Sequence, residues 1–233
     1  MFTTPFAFMA APAGGGFSPI DIPNLIRWWD STVGVTISGG YVTAWTDQIV
    51  SSVATASSST NFTIGDTLNG ISGITSPSTN SQRFDIPSVL TLTALTIFGV
   101  LKRTGTNNPQ YFLGASASQG IGAAYDGGSG YKPFIYDGPS GMIFEGGSNT
   151  INTPYYTTWG LSTSTGFINQ NGVQVATNSG NPNPQLIYSI FENSNAGFRT
   201  LQGTIWEILI YNRVLTGGEI TQVQNYLASK YAL

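Results

Sequence analysis

The 233-residue sequence predicts an all-β protein, an antiparallel β-sandwich with one short C-terminal helix. Three observations support this fold class. Short apolar segments, separated by Gly, Pro, Ser, Thr and Asn, run through most of the chain and are typical of strands joined by turns. Only the C-terminal segment has the spacing of an amphipathic helix. Strands and helices do not alternate along the chain, so a parallel sheet is not indicated.

The C-terminal stretch, residues 201–233, contains the clearest strand and the clearest helix. From Thr204 to Tyr211 the side chains alternate with a period of two, and both faces are apolar apart from Glu207, which is typical of a central strand. Thr216 and Glu219 then form a T-x-x-E capping box that predicts the start of a helix. The predicted helix has an apolar stripe and a cation in its last turn, where the helix dipole favours one: Ile220, Val223, Leu227 and Lys230.

Local signals also divide the rest of the chain. Residues 90–102 form the strongest strand pattern of the first half. Asn171 and Gly172 separate two strand segments and predict a type I′ hairpin turn, because both residues tolerate positive φ. We expect residues 1–18 to form an extended N-terminal arm and residues 19–233 to form the sandwich domain.

The composition excludes several classes of function. The net charge is −3, and eight Lys and Arg residues are scattered along the chain, so clustered phosphate neutralisation by a nucleic-acid binder is not expected. Cys is absent, which removes disulfides and thiolate chemistry. His is absent too, which removes the commonest general base and transition-metal ligand.

The N-terminal arm is apolar and rich in glycine. It has no Lys or Arg, so it does not resemble a signal peptide, and it is too short to span a bilayer. We therefore expect no membrane insertion. An apolar arm needs a surface to cover it, and we expect a neighbouring subunit of a homo-oligomer to provide that surface. Packing on the arm's own domain is the alternative.

The two ends of the domain resemble a known family. The front segment has I-P-x-L-x-x-W-x-D followed by G-x-V-x-x-W-x-D, and the C-terminal segment has G-x-I-x-E-x-x-I-Y-N-R-x-L-T-x-x-E with a later Y-L-x-x-K-Y. These patterns are similar to the concanavalin A-like lectin/glucanase (laminin-G-like) domains common in bacteriophage virion proteins and bacterial surface proteins. The residues that carry the resemblance are Ile22, Pro23, Leu25, Trp28, Asp30, Gly40, Val42, Trp45, Asp47, Gly203, Ile205, Glu207, Ile210, Tyr211, Asn212, Arg213, Leu215, Thr216, Glu219, Val223, Tyr226, Leu227, Lys230 and Tyr231.

The resemblance implies a jelly-roll of two antiparallel sheets. The short chain, the glycine-rich arm and the low charge are similar to phage particle proteins, so we expect a virion structural protein, either a capsid decoration protein or a short fibre, that is located on the particle surface. Residues 1–18 would then contact other virion proteins, and the sandwich would face solvent and adhere to host glycans. A secreted or surface lectin is the alternative, and a glycoside hydrolase is less favoured, since function on this fold varies.

The acidic residues do not indicate catalysis. Retaining glycosidases need two carboxyl groups about 5–5.5 Å apart, a spacing that acids two residues apart on a strand supply. None of the four Glu residues has an acid two positions away. We therefore expect no catalytic residues and no enzyme, although acids on adjacent strands remain free to meet.

The large aromatic residues and Glu207 are interpreted as structural. Trp28, Trp45 and Trp206 lie in strand patterns, where large aromatics usually form core, although they could also stack on sugars. Only one of Trp28 and Trp29 can point inward. Glu207 lies among apolar neighbours, and a buried charge needs a partner, for which Arg213 and Arg27 are the candidates.

Tyrosine and aspartate in the loops are the candidate ligand residues. A Y-D-G step occurs twice, and further tyrosines lie nearby in sequence. Tyrosine offers a stacking face and a hydroxyl, and aspartate binds paired sugar hydroxyls or Ca²⁺, but the same step is also typical of a tight turn. No D-x-D-x-D spacing supports Ca²⁺, and no other cofactor is expected. The candidate glycan-binding residues are Tyr125, Asp126, Tyr131, Tyr136, Asp137 and Tyr155.

Overall fold

Two antiparallel sheets pack face to face, and the C-terminal α-helix covers the outer side of one of them. The computed structural model describes residues 16–58, 61–76, 82–106, 109–114, 119–126, 130–136, 143–179, 183–192 and 200–233. These features confirm the predicted all-β sandwich with a C-terminal helix. Residues 1–15 of the predicted arm lie outside the described residues. Among the described residues, no helix is long and apolar enough to cross a membrane.

The first sheet has eight strands. Their order is β15-β14-β13-β8-β17-β6-β5, and β1 pairs with β17 off this path. The strands are β1 (Leu25–Asp30), β5 (Thr63–Leu68), β6 (Ile71–Ser76), β8 (Leu95–Arg103), β13 (Pro154–Leu161), β14 (Gly166–Gln170), β15 (Val173–Asn178) and β17 (Gly203–Tyr211).

The second sheet has nine strands in the order β12-β11-β10-β9-β16-β7-β4-β3-β2. They are β2 (Val35–Ser38), β3 (Tyr41–Thr46), β4 (Val53–Ala56), β7 (Phe84–Leu92), β9 (Gln110–Gly114), β10 (Gly120–Asp126), β11 (Tyr131–Tyr136), β12 (Ile143–Glu145) and β16 (Gln185–Ile190). Two helical elements complete the fold, a 3₁₀ helix, Pro19–Asp21, and the α-helix α1, Gly217–Tyr231.

Strand β17 is central, as its two apolar faces predict. It pairs with β8, β6 and β1, and all nine of its residues are buried. The register shifts between Ile205 and Glu207, where a bulge adds one residue. The bulge reverses the alternation, so Ile205 and Ile208 both face the core between the sheets, whereas Trp206 and Leu209 face α1. The prediction that the side chains alternate without a break from Thr204 to Tyr211 is therefore wrong at the bulge.

Helix α1 begins at the predicted capping box. The Thr216 hydroxyl accepts from the Glu219 amide, and the Glu219 carboxylate accepts from the Thr216 amide at 2.8 Å. Arg213 binds the same carboxylate through two nitrogens, at 2.8 and 2.6 Å. These Arg213 bonds, followed by the Thr216 backbone bond, lower the pKa of Glu219 to about 2.

The hairpin between β14 and β15 turns at Asn171 and Gly172. Their φ angles are +48° and +80°. Both lie in the left-handed region that a type I′ turn requires. The Asn171 side chain also accepts from the Tyr156 amide at 3.1 Å, which joins the turn to β13.

Beneath α1, the Glu207 carboxylate is completely buried and accepts four hydrogen bonds. Its donors come from β1 and from the helix: Trp28 Nε1 at 2.7 Å, Tyr226 Oη at 3.0 Å, Lys230 Nζ at 2.8 Å and Tyr231 Oη at 2.8 Å. The predicted partners, Arg213 and Arg27, bind Glu219 and Asp47 instead. Burial raises the pKa of Glu207, and Lys230 opposes that shift.

Two further acids of the family pattern organise the start of the domain. Asp30 lies opposite Glu207 in the β1–β17 register and receives the second bond of Lys230, at 2.6 Å. Asp47 accepts from the Trp28 amide at 2.7 Å and from the amides of Ile49 and Val50 at 3.1 Å. The residues that carry the resemblance therefore hold β1, β17, α1 and the turn after β3 together.

We expect Lys230→Met to reduce the free energy of unfolding by about 3–5 kcal/mol, because it leaves two buried carboxylates without their cation. Urea denaturation measures this loss. Lys132→Met is the matched control, since its pair with Glu145 is partly exposed and contributes about 0–1 kcal/mol. Equal losses in the two variants would contradict the structural role of Lys230.

Candidate functional site

The two Y-D-G steps lie at opposite ends of the sandwich. Strands β10 and β11 are antiparallel neighbours, and Asp126 pairs with Tyr131, whereas Tyr136 pairs with Gly120 at the far end. Tyr125 and Asp126 therefore share an end with Tyr131 but not with Tyr136. Asp137 lies outside the described residues. The predicted ligand residues thus do not form one site.

A polar site forms at the end that carries Asp126 and Tyr131. We call it the loop end and define it by residues 103–106, 125–126, 130–131 and 146–153. Backbone bonds assemble it: the Asn149 amide donates to the Tyr131 carbonyl at 2.8 Å, and the Asn152 amide donates to the Arg103 carbonyl at 2.7 Å. The Gly130 amide, just before β11, donates to the Asp126 carboxylate at the end of β10 at 3.1 Å.

Arg103 is the buried cation of the loop end. It is only 2% exposed, and its guanidinium donates to the carbonyls of Gly105 at 2.6 Å and Asn149 at 2.7 Å. Among the described residues, no carboxylate lies within ion-pairing distance of it. Burial lowers the pKa of Arg103, and Tyr155, Tyr131 and Asp126 oppose that shift through space.

Tyr131 is held by its ring and by its hydroxyl. The Arg103 guanidinium carbon lies 3.9 Å from the centre of the ring, a cation–π contact. The hydroxyl donates to the Thr106 carbonyl at 2.6 Å. Because the ring is half-buried and fixed in this way, it presents a preorganised aromatic surface beside Asp126. Tyr125, also half-buried, packs against Phe134 with ring centres 5.6 Å apart.

Amide side chains join the loop end to the neighbouring hairpin. Gln170 donates to the Asn149 side-chain oxygen at 2.7 Å and to the Ser148 carbonyl at 2.9 Å, and it accepts from the Ser148 amide at 2.9 Å. Asn149 in turn donates to the Ala123 carbonyl. The loop before β13 is therefore fixed on both sides.

The sequence analysis did not identify three residues that build the loop end and its link to the hairpin: Arg103, Asn149 and Gln170. Arg103 had one usable signal, since it ends a strongly apolar strand and a charge at that position needs partners. Asn149 and Gln170 had no signal, because neutral polar residues are abundant throughout the chain.

Tyr155 is a correction to the predicted ligand set. It is 2% exposed, and its hydroxyl donates to the Ala123 carbonyl at 3.1 Å inside the core. Burial raises its pKa, so the hydroxyl stays protonated. Tyr155 is therefore bonded to β10 inside the core and does not contact a ligand.

The tryptophans lie in the core, except Trp28, which belongs to the hydrogen-bond network around Glu207. Trp45 and Trp206 are at most 1% exposed, and Trp29 points into the core. Its neighbour Trp28 points the other way and is half-buried against Glu207. Among the described tryptophans, none offers an exposed ring for a sugar.

Two pairs of acids do meet across strands. Asp30 and Glu207 share Lys230, but Glu207 is sealed beneath the helix. Arg83 lies 2.5 Å from Asp85 and 3.6 Å from Glu192, whose pKa burial raises. Neither pair is at the loop end as defined above. The described part of the chain also contains no group of three or more His, Cys, Asp or Glu side chains that could hold a metal ion.

Comparison with known proteins gives the fold but no family. No family model matches the sequence, and no curated protein matches it. Solved structures do match: a Trypanosoma rangeli sialidase in complex with 2,3-difluoro-KDN aligns with 90% of this chain at 15% identity and a TM-score of 0.61. Domain 4 of AbnA, a GH43 extracellular arabinanase from Geobacillus stearothermophilus in complex with arabinotriose, aligns with 86% of this chain and 98% of its own at 14% identity and a TM-score of 0.62.

A third match is the binding domain of Paraclostridial Mosquitocidal Protein 1, which aligns with 90% of this chain and 53% of its own at 14% identity and a TM-score of 0.57. The chain spans about a third of the length of the sialidase. None of these three structures is a virion protein, so the virion part of the sequence interpretation finds no support in them.

The comparison contradicts the prediction that the chain is not an enzyme. Structures that share its fold include sialidases, so the fold class gives no ground for excluding an enzyme. The chain is an antiparallel β-sandwich, a fold that it shares with part of a sialidase, with an arabinanase domain and with the binding domain of Paraclostridial Mosquitocidal Protein 1.

Proposed function

We propose that this sandwich binds a glycan at the loop end, over Tyr131 and Asp126. The observation that carries the proposal is the fixed, half-exposed Tyr131 ring, held between the Arg103 guanidinium and the Thr106 carbonyl. A rigid aromatic ring binds a partner at a low cost in conformational entropy.

The chemistry of the two side chains suits a sugar. The apolar face of a pyranose or furanose ring packs on the tyrosine ring, and the Asp126 carboxylate accepts hydrogen bonds from hydroxyl groups. Convergent polar groups of this kind fix the orientation of a ligand. Arg103 does not touch the ligand, because it is buried. It is a positioning residue for Tyr131.

The similar structures support carbohydrate binding as the general function. One is a sialidase in complex with sialic acid, and another is an arabinanase domain in complex with arabinotriose. At about 15% identity these proteins support the architecture and the ligand class only, so we do not transfer sialic acid or arabinose to this chain.

The biological setting that we propose follows the resemblance in sequence. The domain would face solvent on a bacteriophage particle, as a decoration protein or short fibre, and residues 1–18 would attach it to other virion proteins or to further copies. The motif residues Glu207, Lys230 and Asp30 contact one another in a single network, which supports the fold that the resemblance implies and does not test the setting. A secreted or surface lectin is the competing setting.

We expect Tyr131→Ala and Asp126→Asn to weaken glycan binding about ten-fold or more, because each removes a contact worth at least about 1.4 kcal/mol. A glycan array identifies the ligand, and isothermal titration calorimetry measures Kd. Tyr41→Ala is the matched control, since Tyr41 is also half-buried but lies on β3, which five strands separate from β11. An array without any bound glycan, or an equal loss of affinity in the control, would overturn the proposal.

Deletion of residues 1–15 tests the proposed attachment. We expect the full chain to form an oligomer and the deletion variant to be a monomer, because the apolar arm supplies the contact. Light scattering after gel filtration measures the mass, and thermal unfolding checks that the domain remains folded. If the two proteins have the same oligomeric state, the arm has no such role.

A further inference from the structure

A second concave surface lies on α1, on a different element from the loop end. It encloses about 420 Å³, which is within the usual range for small-ligand sites. Five of its residues come from α1 and follow a spacing of three or four positions, so they share one face of the helix. We call it the helix groove, and its lining residues are Phe17, Gln222, Asn225, Tyr226, Ser229 and Lys230.

The aromatic wall of the helix groove is fixed in place. Phe17 and Tyr226 meet edge to face, with ring centres 6.3 Å apart. The Tyr226 hydroxyl donates to the buried Glu207 carboxylate at 3.0 Å and accepts from Lys230 at 3.1 Å. The Tyr226 ring therefore cannot rotate away without breaking the network beneath the helix.

The polar wall has unused hydrogen-bonding capacity. The side chains of Gln222, Asn225 and Ser229 are exposed and make no hydrogen bond to any other described residue. Two carboxamides and one hydroxyl offer both donors and acceptors, and none of them is ionised at any ordinary pH. This set matches vicinal hydroxyl groups better than it matches an apolar ligand.

The charge of the groove excludes an acidic ligand. Its one cation, Lys230, is held by Asp30 at 2.6 Å and by Glu207 at 2.8 Å. Because two carboxylates face a single ammonium group, the groove presents no net positive charge to a carboxylated or phosphorylated ligand. A neutral ligand does not depend on a positive charge in the groove.

We propose that the helix groove is a second binding site, specific for a neutral saccharide. The sugar ring packs against Phe17 and Tyr226, and its hydroxyls pair with the side chains of Gln222, Asn225 and Ser229. This site is independent of the loop end, because the two surfaces share no residue. Two sites on one domain let a polysaccharide chain bind with higher avidity than either site alone provides.

Titration of the ¹⁵N-labelled full chain with arabinotriose, maltotriose, chitotriose and sialyllactose tests the proposal. We expect at least one neutral sugar to shift the amide signals of Phe17 and residues 222–230. Gln222→Ala combined with Asn225→Ala should weaken that binding about ten-fold or more. Both substitutions favour helix, so the fold is retained. Thr221→Ala, an exposed neighbour outside the groove, is the matched control.

Separate outcomes distinguish this site from the loop end. Tyr131→Ala should leave the shifts at α1 unchanged, so the groove can bind even if the loop end does not. The proposal is overturned if no neutral sugar shifts the α1 signals, if sialyllactose binds there more tightly, or if the double variant binds normally. It is also overturned if deletion of residues 1–15 alone shifts the same signals, because the arm would then occupy the groove.

Discussion

The structure depends on one buried carboxylate. Glu207 lies in the central strand of the first sheet with no access to water, and such a group is tolerated only where donors surround it. Its donors come from Trp28 on β1 and from Tyr226, Lys230 and Tyr231 on α1. The position of the helix over the first sheet is therefore set by electrostatics as well as by apolar burial. A helix shifted by one turn would place the wrong side chains over Glu207 and leave the charge unpaired.

Two largely buried cations among the described residues, Lys230 and Arg103, act in different ways. Lys230 faces two carboxylates, so its charge is neutralised inside the scaffold and reaches no ligand. Arg103 is held by carbonyl oxygens and by the Tyr131 ring. The Asp126 carboxylate interacts with the Arg103 charge through space. The helix groove is consequently a neutral surface, whereas the loop end combines a fixed aromatic ring, a carboxylate and an underlying positive charge. Both cations are largely buried, so the difference between the two surfaces comes from the groups that each cation binds.

Much of the scaffold was predictable because its signals are local. The change of period after Tyr211, the capping box at Thr216 and the Asn171-Gly172 turn each follow from the residues themselves. The bulge between Ile205 and Glu207 was not predictable, because no glycine or proline marks it. It interrupts the period of two that the sequence predicts for this strand. The partner of Glu207 was missed for a similar reason. Lys230 was assigned to the helix dipole, which is a local explanation, whereas its carboxylate partners lie on β1 and β17 and become neighbours only in the folded chain.

The candidate site was harder to predict than the scaffold, and the antiparallel hairpin shows why. The Tyr-Asp step occurs twice, but each copy ends one of two neighbouring strands that run in opposite directions, so Asp126 and Tyr136 belong to different ends. Spacing within a motif describes side chains on one element, and ligand sites are built from several. The motif that carries the family resemblance consists of scaffold residues such as Asp30, Asp47 and Glu207, which are buried and bonded within the domain. It therefore accounts for the fold, and of the residues that we propose to contact a ligand it includes only Tyr226.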